Sequence, residues 1–269
     1  MARNPFKGLT GRDWKTYRDH HYGEPLPADL RLASWTATTL QDPRVRKDHG
    51  SVVEIGNAGV FRTLPLVAGN LAVGARVVVA DAFWPQRRAA RQELRVIRRG
   101  RGPTVWDAHL NAIVQGRPDI ARVEPHPYLE GALGKMVARA SVRKYDLRRG
   151  PLGRAGIRIA PFVLGSWTSD PAEFRLGLDH FYAGMRPGDV AIIHEDAEAT
   201  GYSIGQRRLP NFPTTEAELR EDAEARGLIV IGSTTEPIED YGGEAAGSTF
   251  TGFIGLVVKH PEAGDPDAL

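Results

Sequence analysis

Short apolar runs rich in β-branched residues recur along the chain, and many of them end in an acid or a glycine turn. The first pair is the clearest. Ser51-Val52-Val53-Glu54-Ile55 runs into Gly56 and Gly59, and Arg76-Val77-Val78-Val79-Ala80 runs into Asp81, with a helix-compatible stretch between them. This spacing predicts strand, glycine turn, helix, strand, a unit of the parallel βαβ kind. Further runs predict strands over 141–147, 157–164, 190–193, 228–231 and 252–258. Helical periodicity fills the intervals. Trp14, Tyr17, His21 and Tyr22, then Leu30, Leu32, Trp35 and Leu40, read as two amphipathic helices broken by Pro25 and Pro27. A helix follows Asp81 to about Ile97, and residues 103–139 read as helical with breaks at Gly116, Pro118, Pro125 and Pro127. Asp170-Pro171 opens a helix running to about Tyr182, and Thr214-Thr215-Glu216 opens another ending near Arg226.

Residues 1–12 read as a loose lead-in, 199–213 and 235–248 as loops, and the chain after His260 as a frayed tail. The expected fold is α/β: one doubly wound, mostly parallel seven-stranded sheet of the Rossmann-like kind in a single domain over 1–269. A helical cap (1–48) precedes a core (49–260), and 261–269 form the tail.

Composition narrows the class. A chain of 269 residues, 41% hydrophobic and 25% charged, has ordinary globular makeup and length for one large α/β domain. A formal charge of +2 gives no case for nucleic acid. Seven arginines lie between Arg87 and Arg101, interleaved with apolar residues as on the solvated face of a helix. With no cysteine there is neither disulfide framework nor thiolate chemistry, which is compatible with a reducing, cytoplasmic setting. The first residues lack the apolar core of a signal peptide, and no window of 18 apolar residues is present, so no membrane span is expected. The eight histidines have no metal-ligand spacing, so no metal is expected.

Ligands of such sheets sit beyond the carboxyl ends of the strands, where Gly56, Gly59 and Asp81 fall. The glycines permit a tight turn close to a ligand, and a carboxylate at Asp81 suits the paired hydroxyls of a ribose. A nicotinamide dinucleotide and S-adenosylmethionine (SAM) both fit this much. Ala58 and Phe61 interrupt the three-glycine dinucleotide pattern, whereas Glu54 suits a cofactor carrying an ammonium group, which favours SAM.

From about Trp14 to Lys259 the chain resembles the class I SAM-dependent methyltransferases. It is most similar to the amine group that includes nicotinamide, phenylethanolamine and indolethylamine N-methyltransferases. Tyr17-Arg18-Asp19-His20-His21-Tyr22 resembles the group's N-terminal tyrosine pair, and Glu54-Ile55-Gly56 its first SAM motif. Gly184-Met185-Arg186-Pro187-Gly188-Asp189 resembles its Pro-Gly turn, and Gly201-Tyr202-Ser203-Ile204-Gly205 its acceptor-pocket segment. The resemblance implies that Tyr17 and Tyr22 close over the cofactor, while Glu54, Gly56, Asn57 and Gly59 surround its methionine part. Asp81, Ala82 and Gln86 would face the ribose, Asp146 and Leu147 the adenine, and Leu164 the end of the fourth strand. Tyr202, Glu195 and Asn211 would line the acceptor pocket. Two departures stand out, Ala58 in the first motif and Pro161 in the fourth strand.

The implied reaction is methyl transfer from SAM, leaving S-adenosylhomocysteine (SAH), to a small-molecule acceptor, expected to be an amine. Glu195 would orient the amine through a charge-assisted hydrogen bond, Glu198 or Asp196 would add negative field, and His194 is a candidate proton acceptor. Two alternatives remain open: transfer to oxygen on a carboxylate, phenol or modified peptide, and a SAM-fold binding protein without turnover.

Overall fold

The computed structural model describes residues 6–22, 26–56, 63–99, 139–204, 207–238 and 250–265. Asn57, Gly59, and the broken helical stretch expected over 103–139 (apart from its last residue) lie outside them. Among the described residues nine strands run in chain order: β1 (His49–Ile55), β2 (Leu71–Asp81), β3 (Ser141–Lys144), β4 (Ile157–Pro161), β5 (Val190–Ala197), β6 (Gly201–Ile204), β7 (Arg207–Pro210), β8 (Ile229–Pro237) and β9 (Gly252–Lys259). The helices among them are α1 (Gly11–Tyr22), α2 (Pro27–Thr39), α3 (Trp84–Arg98), α4 (Pro171–Tyr182) and α5 (Glu216–Ala225).

Seven strands form one sheet in the order β3-β2-β1-β4-β5-β9-β8. β1 to β5 are parallel, and β9 runs antiparallel between β5 and β8. The strand order reverses at β1, which pairs with β2 on one side and β4 on the other. A crevice opens at such a switch point, beyond the carboxyl ends of the strands.

Strand periodicity distributes the apolar residues between two layers. Val52, Val77, Val79, Ile157, Ile159, Val190, Ile192 and Val257 meet Ala33, Ala37 and Leu40 of α2 and its end, and Ala90 and Leu94 of α3. Their neighbours Val53, Ile55, Ala160, Ile193, Leu256 and Val258 meet Phe174, Leu178 and Phe181 of α4, and Leu219 and Ala223 of α5. Burying a side chain of this kind contributes about 1.5–3 kcal/mol, so these two layers carry most of the fold's stabilisation.

Local chemistry sets the helix starts. The Asp170 carboxylate accepts from the amides of Ala172 (2.7 Å) and Glu173 (3.2 Å) at the head of α4. Thr215 and Glu218 form a reciprocal capping box on α5.

Several elements differ from the sequence expectation. The stretch expected as a helix before the second strand contains a 3-10 helix, Leu64–Asn70, and β2 starts at Leu71. The fourth strand ends at Pro161, because Phe162 takes a positive φ of 55° and turns the chain away. The fifth extends through Ala197 because β9 pairs with it along its whole length. Residues 201–204 and 207–210, expected as loop, pair as the antiparallel β6–β7 hairpin, and β8 reaches Pro237. Within the described parts of the lead-in and tail, Phe6 is buried, and the buried Lys259 ammonium meets Glu262 at 2.9 Å and Asp265 at 3.0 Å. No helix among the described residues is long and apolar enough to cross a membrane.

Candidate functional site

A crevice, part of it open to solvent, lies at the carboxyl ends of β1, β2 and β4. Gly56 (φ 67°), Asp81, Ala82, Gln86, Asp146, Leu147 and Tyr202, all expected from sequence, line it together.

Gly56 answers a steric demand. A Cβ there would sit 2.3 Å from Cγ2 of Val163, in a backbone conformation that side chains rarely adopt. At the end of β2, Asp81 accepts from the Phe83 amide at 2.7 Å. Burial pushes its carboxyl up to about 7, against the pull of the Phe83 amide and Arg87. Arg87 faces inward from the arginine-rich α3 and donates to the carbonyls of Asp81 (2.9 Å) and Ala82 (2.7 Å), so the strand end is braced from behind. Gln86 contributes a buried Oε1 with no protein partner, beside Asp81 on the wall. Asp146 is held by Arg148, with Nε and Nη2 each 2.7 Å from a carboxylate oxygen. Burial disfavours its charge, but the Arg148 hydrogen bonds outweigh that and hold its carboxyl below the usual range.

The remaining expected residues stand elsewhere. Glu54 is fully buried in β1 behind the crevice wall. Leu164 is buried and presents its amide to Glu195. The Glu195 carboxylate faces backbone rather than the crevice, with Oε1 accepting from the amides of Leu164 (2.6 Å) and Gly165 (3.4 Å). Burial, and then the neighbouring Asp196, push it up to about 8 against the opposing pull of the amides of Leu164, Gly165 and Val163. The ring of His194 meets Oγ1 of Thr36 in α2 at 2.9 Å. Asn211 donates to Asp196 at 3.3 Å, and the exposed Glu198 accepts from Thr251 at 2.9 Å. Tyr17 and Tyr22 fall on α1, with their side chains outside the described set. Among the described residues, no group of three or more His, Asp or Glu is arranged to hold a metal.

Sequence reasoning missed most of the aromatic wall. Phe6, Trp14, Phe83, Tyr145, Phe162 and Trp167 join Tyr202 around the crevice. Phe6 and Phe83 lie 4.3 Å apart between ring centroids, and Trp14 is 5.8 Å from each. Tyr202 donates its hydroxyl to the Ser166 carbonyl at 2.8 Å, tying the hairpin to the loop after β4. The density of aromatic residues near the N-terminus and after each strand was the available signal, but their convergence depends on tertiary structure.

The crevice residues fit SAM. A buried strand-end carboxylate and a buried amide oxygen lie together on the crevice wall, acceptors that suit the paired hydroxyls of a ribose. No protein-family model matches the chain. A 78-residue stretch is 33% identical to phenylethanolamine N-methyltransferase of Bos taurus, covering 26% of this chain and 28% of that enzyme. The match thus spans little more than a quarter of the relative's length. Among solved structures, the N-methyltransferase NodS from Bradyrhizobium japonicum WM9, in complex with SAH, superposes with a TM-score of 0.54 at 14% identity, over 97% of this chain and 100% of that one. A SAM-dependent methyltransferase from Clostridium acetobutylicum ATCC 824 gives 0.54 at 7% identity, over 93% and 99%. The DhpI–SAM–HEP complex gives 0.52 at 15% identity, over 92% and 96%. At these identities the likeness is one of fold: the chain has the fold of the class I SAM-dependent methyltransferases.

Proposed function

We propose that this protein transfers a methyl group from SAM to the nitrogen of a small-molecule amine. When bound, SAM supplies a methyl group already activated by its positive sulfonium. The chain's own contribution is then binding, alignment and exclusion of water. Holding two reactants aligned lowers a barrier by about 7–11 kcal/mol, without any side chain entering the chemistry. Asp81 and Gln86 would hold the ribose and Asp146 and Leu147 the adenine, with Tyr17, Tyr22, Asn57 and Gly59 completing the cofactor set as the resemblance implies.

The observation that carries the choice of nitrogen is the character of the wall on the β4–β5 side. Among the described residues it consists of Phe162, Val163, Ser166, Trp167 and Tyr202, with no carboxylate or imidazole among them. Glu195 and His194 point to backbone and to α2 instead. A neutral amine has its own lone pair and needs no base, whereas a phenol must first lose a proton; a carboxylate needs no base either, but these wall residues include no cation to hold its charge. The local likeness to an N-methyltransferase supports the same choice.

The test is calorimetry with SAM and SAH, followed by mass spectrometry of products from a panel of amines, phenols and carboxylates. SAH binding with the added methyl on nitrogen is expected. A methyl found on oxygen would overturn the choice of acceptor, and absence of SAH binding would overturn the cofactor assignment.

A further inference from the structure

The turn after β4 is strained and is held from several sides. Phe162 has a φ of 55°, a conformation that bulky residues keep only when the surroundings enforce it. Its amide donates to the His194 carbonyl at 2.6 Å. Val163 lies against the Gly56 turn. Ser166 donates to the Val163 carbonyl at 3.1 Å and accepts through its own carbonyl from Tyr202. The Phe212 amide donates to the Gly165 carbonyl at 3.1 Å.

Within this turn the residues divide into two sets. Phe162, Val163, Ser166 and Trp167 line the crevice, whereas Leu164 and Gly165 do not. Leu164 and Gly165 donate their amides to Glu195, and the amide of the crevice-lining Val163 also faces that carboxyl. A Cβ on Gly165 would come within 2.6 Å of Asn211 Oδ1, so this half of the turn is pressed against the segment after β7. We propose that Glu195 is a positioning residue, a buried clamp that grips the backbone amides of the turn and thereby fixes the four residues that wall the crevice. Its neighbour Asp196 holds Asn211 from the same strand, so the end of β5 secures both sides of that contact. The clamp acts through an acceptor oxygen. A carboxamide retains that oxygen and an alanine does not, leaving the turn's amides without it.

Two substitutions separate the clamp from a direct role in chemistry, each measured by amide exchange and by SAH calorimetry. The exchange readout does not depend on the cofactor, while the binding readout rests on the SAM assignment above. In Glu195→Ala, the amides of 163–167 should exchange about tenfold faster or more while the strands β1 and β2 keep their protection. SAH should bind about tenfold more weakly. Glu195→Gln should restore protection and bring SAH affinity to within about threefold of the wild type. Unchanged exchange in Glu195→Ala would overturn the clamp. So would a Glu195→Gln protein as impaired as Glu195→Ala, since charge rather than an acceptor oxygen would then be required. If Glu195→Ala does not fold, Glu195→Gln still decides: wild-type exchange supports the clamp and loss of protection sinks it. Failure of the wild type to bind SAH would count against the cofactor assignment alone, because the exchange result stands by itself.

Discussion

The ends of β2 and β5 present the same chemistry to opposite purposes. Each carries a buried carboxyl at or near its end, Asp81 or Glu195, raised by burial to about 7 and about 8. Each accepts from a nearby backbone amide, that of Phe83 or Leu164. Yet Asp81 lines the crevice and Glu195 does not. The difference lies in what passes in front. After β2 the chain turns directly into α3, and Arg87 braces that turn from behind through carbonyl oxygens, leaving the carboxyl facing the crevice. At β5 the turn after β4 crosses in front and takes the carboxyl for itself. An acid at a strand end is therefore a ligand group only where no neighbouring loop needs it as an acceptor.

The largest effect should come from Asp81. Charge-assisted hydrogen bonds contribute about 1.5–3 kcal/mol, so Asp81→Ala should weaken SAH binding about 10- to 150-fold by calorimetry. Glu195→Gln, acting only at the clamp, should stay within about threefold. Comparable losses in the two proteins would erase the distinction between the strand ends.

This contrast also marks how far the chain's sequence reaches. The β1–β2 unit, the reversal of strand order and the crevice position follow from β-branched runs, glycines and their spacing, which are local signals. Asp81, Gln86 and Asp146 could be placed because each sits at or just after a strand end. Glu195 was equally visible as an acid, but its direction depends on the φ of Phe162 and the path of a loop more than 25 residues earlier. The β6–β7 hairpin was hidden by its Gly, Pro and Asn content, and its pairing is secured by contacts with distant residues such as Ser166. Phe6 and Trp14 become functional candidates only when packed against Phe83.

A smaller effect is expected from pH. Both carboxyls have folded values raised above their ordinary 3.8 and 4.5. The folded state therefore holds these protons more tightly than the unfolded chain. Their contribution to stability is fully present below about pH 4 and is lost as pH rises through about 7 and 8. Chemical denaturation between pH 4 and 9 should show this decline, and Glu195→Gln should make it shallower. SAH binding should separate the two groups, because a ribose favours ionised Asp81. Affinity should fall by up to about tenfold per pH unit below 7, with the same slope in Glu195→Gln and none in Asp81→Asn. A slope that disappears in the Glu195 variant would assign the ligand-linked proton to the clamp instead.

The smallest effect tests an intermediate case, the acid after β3. Asp146 lines the crevice as Asp81 does, but it is also occupied, like Glu195, here by the Arg148 guanidinium. A carboxylate has about four acceptor sites, so the paired Asp146 retains capacity for an adenine amino group. Arg148 is partly exposed, which screens the pair and limits its worth to about 1 kcal/mol or less. Removing the guanidinium gives up that preorganisation while freeing acceptor sites, two changes that oppose each other. Arg148→Met should therefore leave SAH affinity within about threefold, whereas Asp146→Ala should weaken it about tenfold. If Arg148→Met proves the more damaging, Arg148 itself is the crevice's ligand group and Asp146 serves to hold it, which would place the end of β3 in the same class as the end of β5.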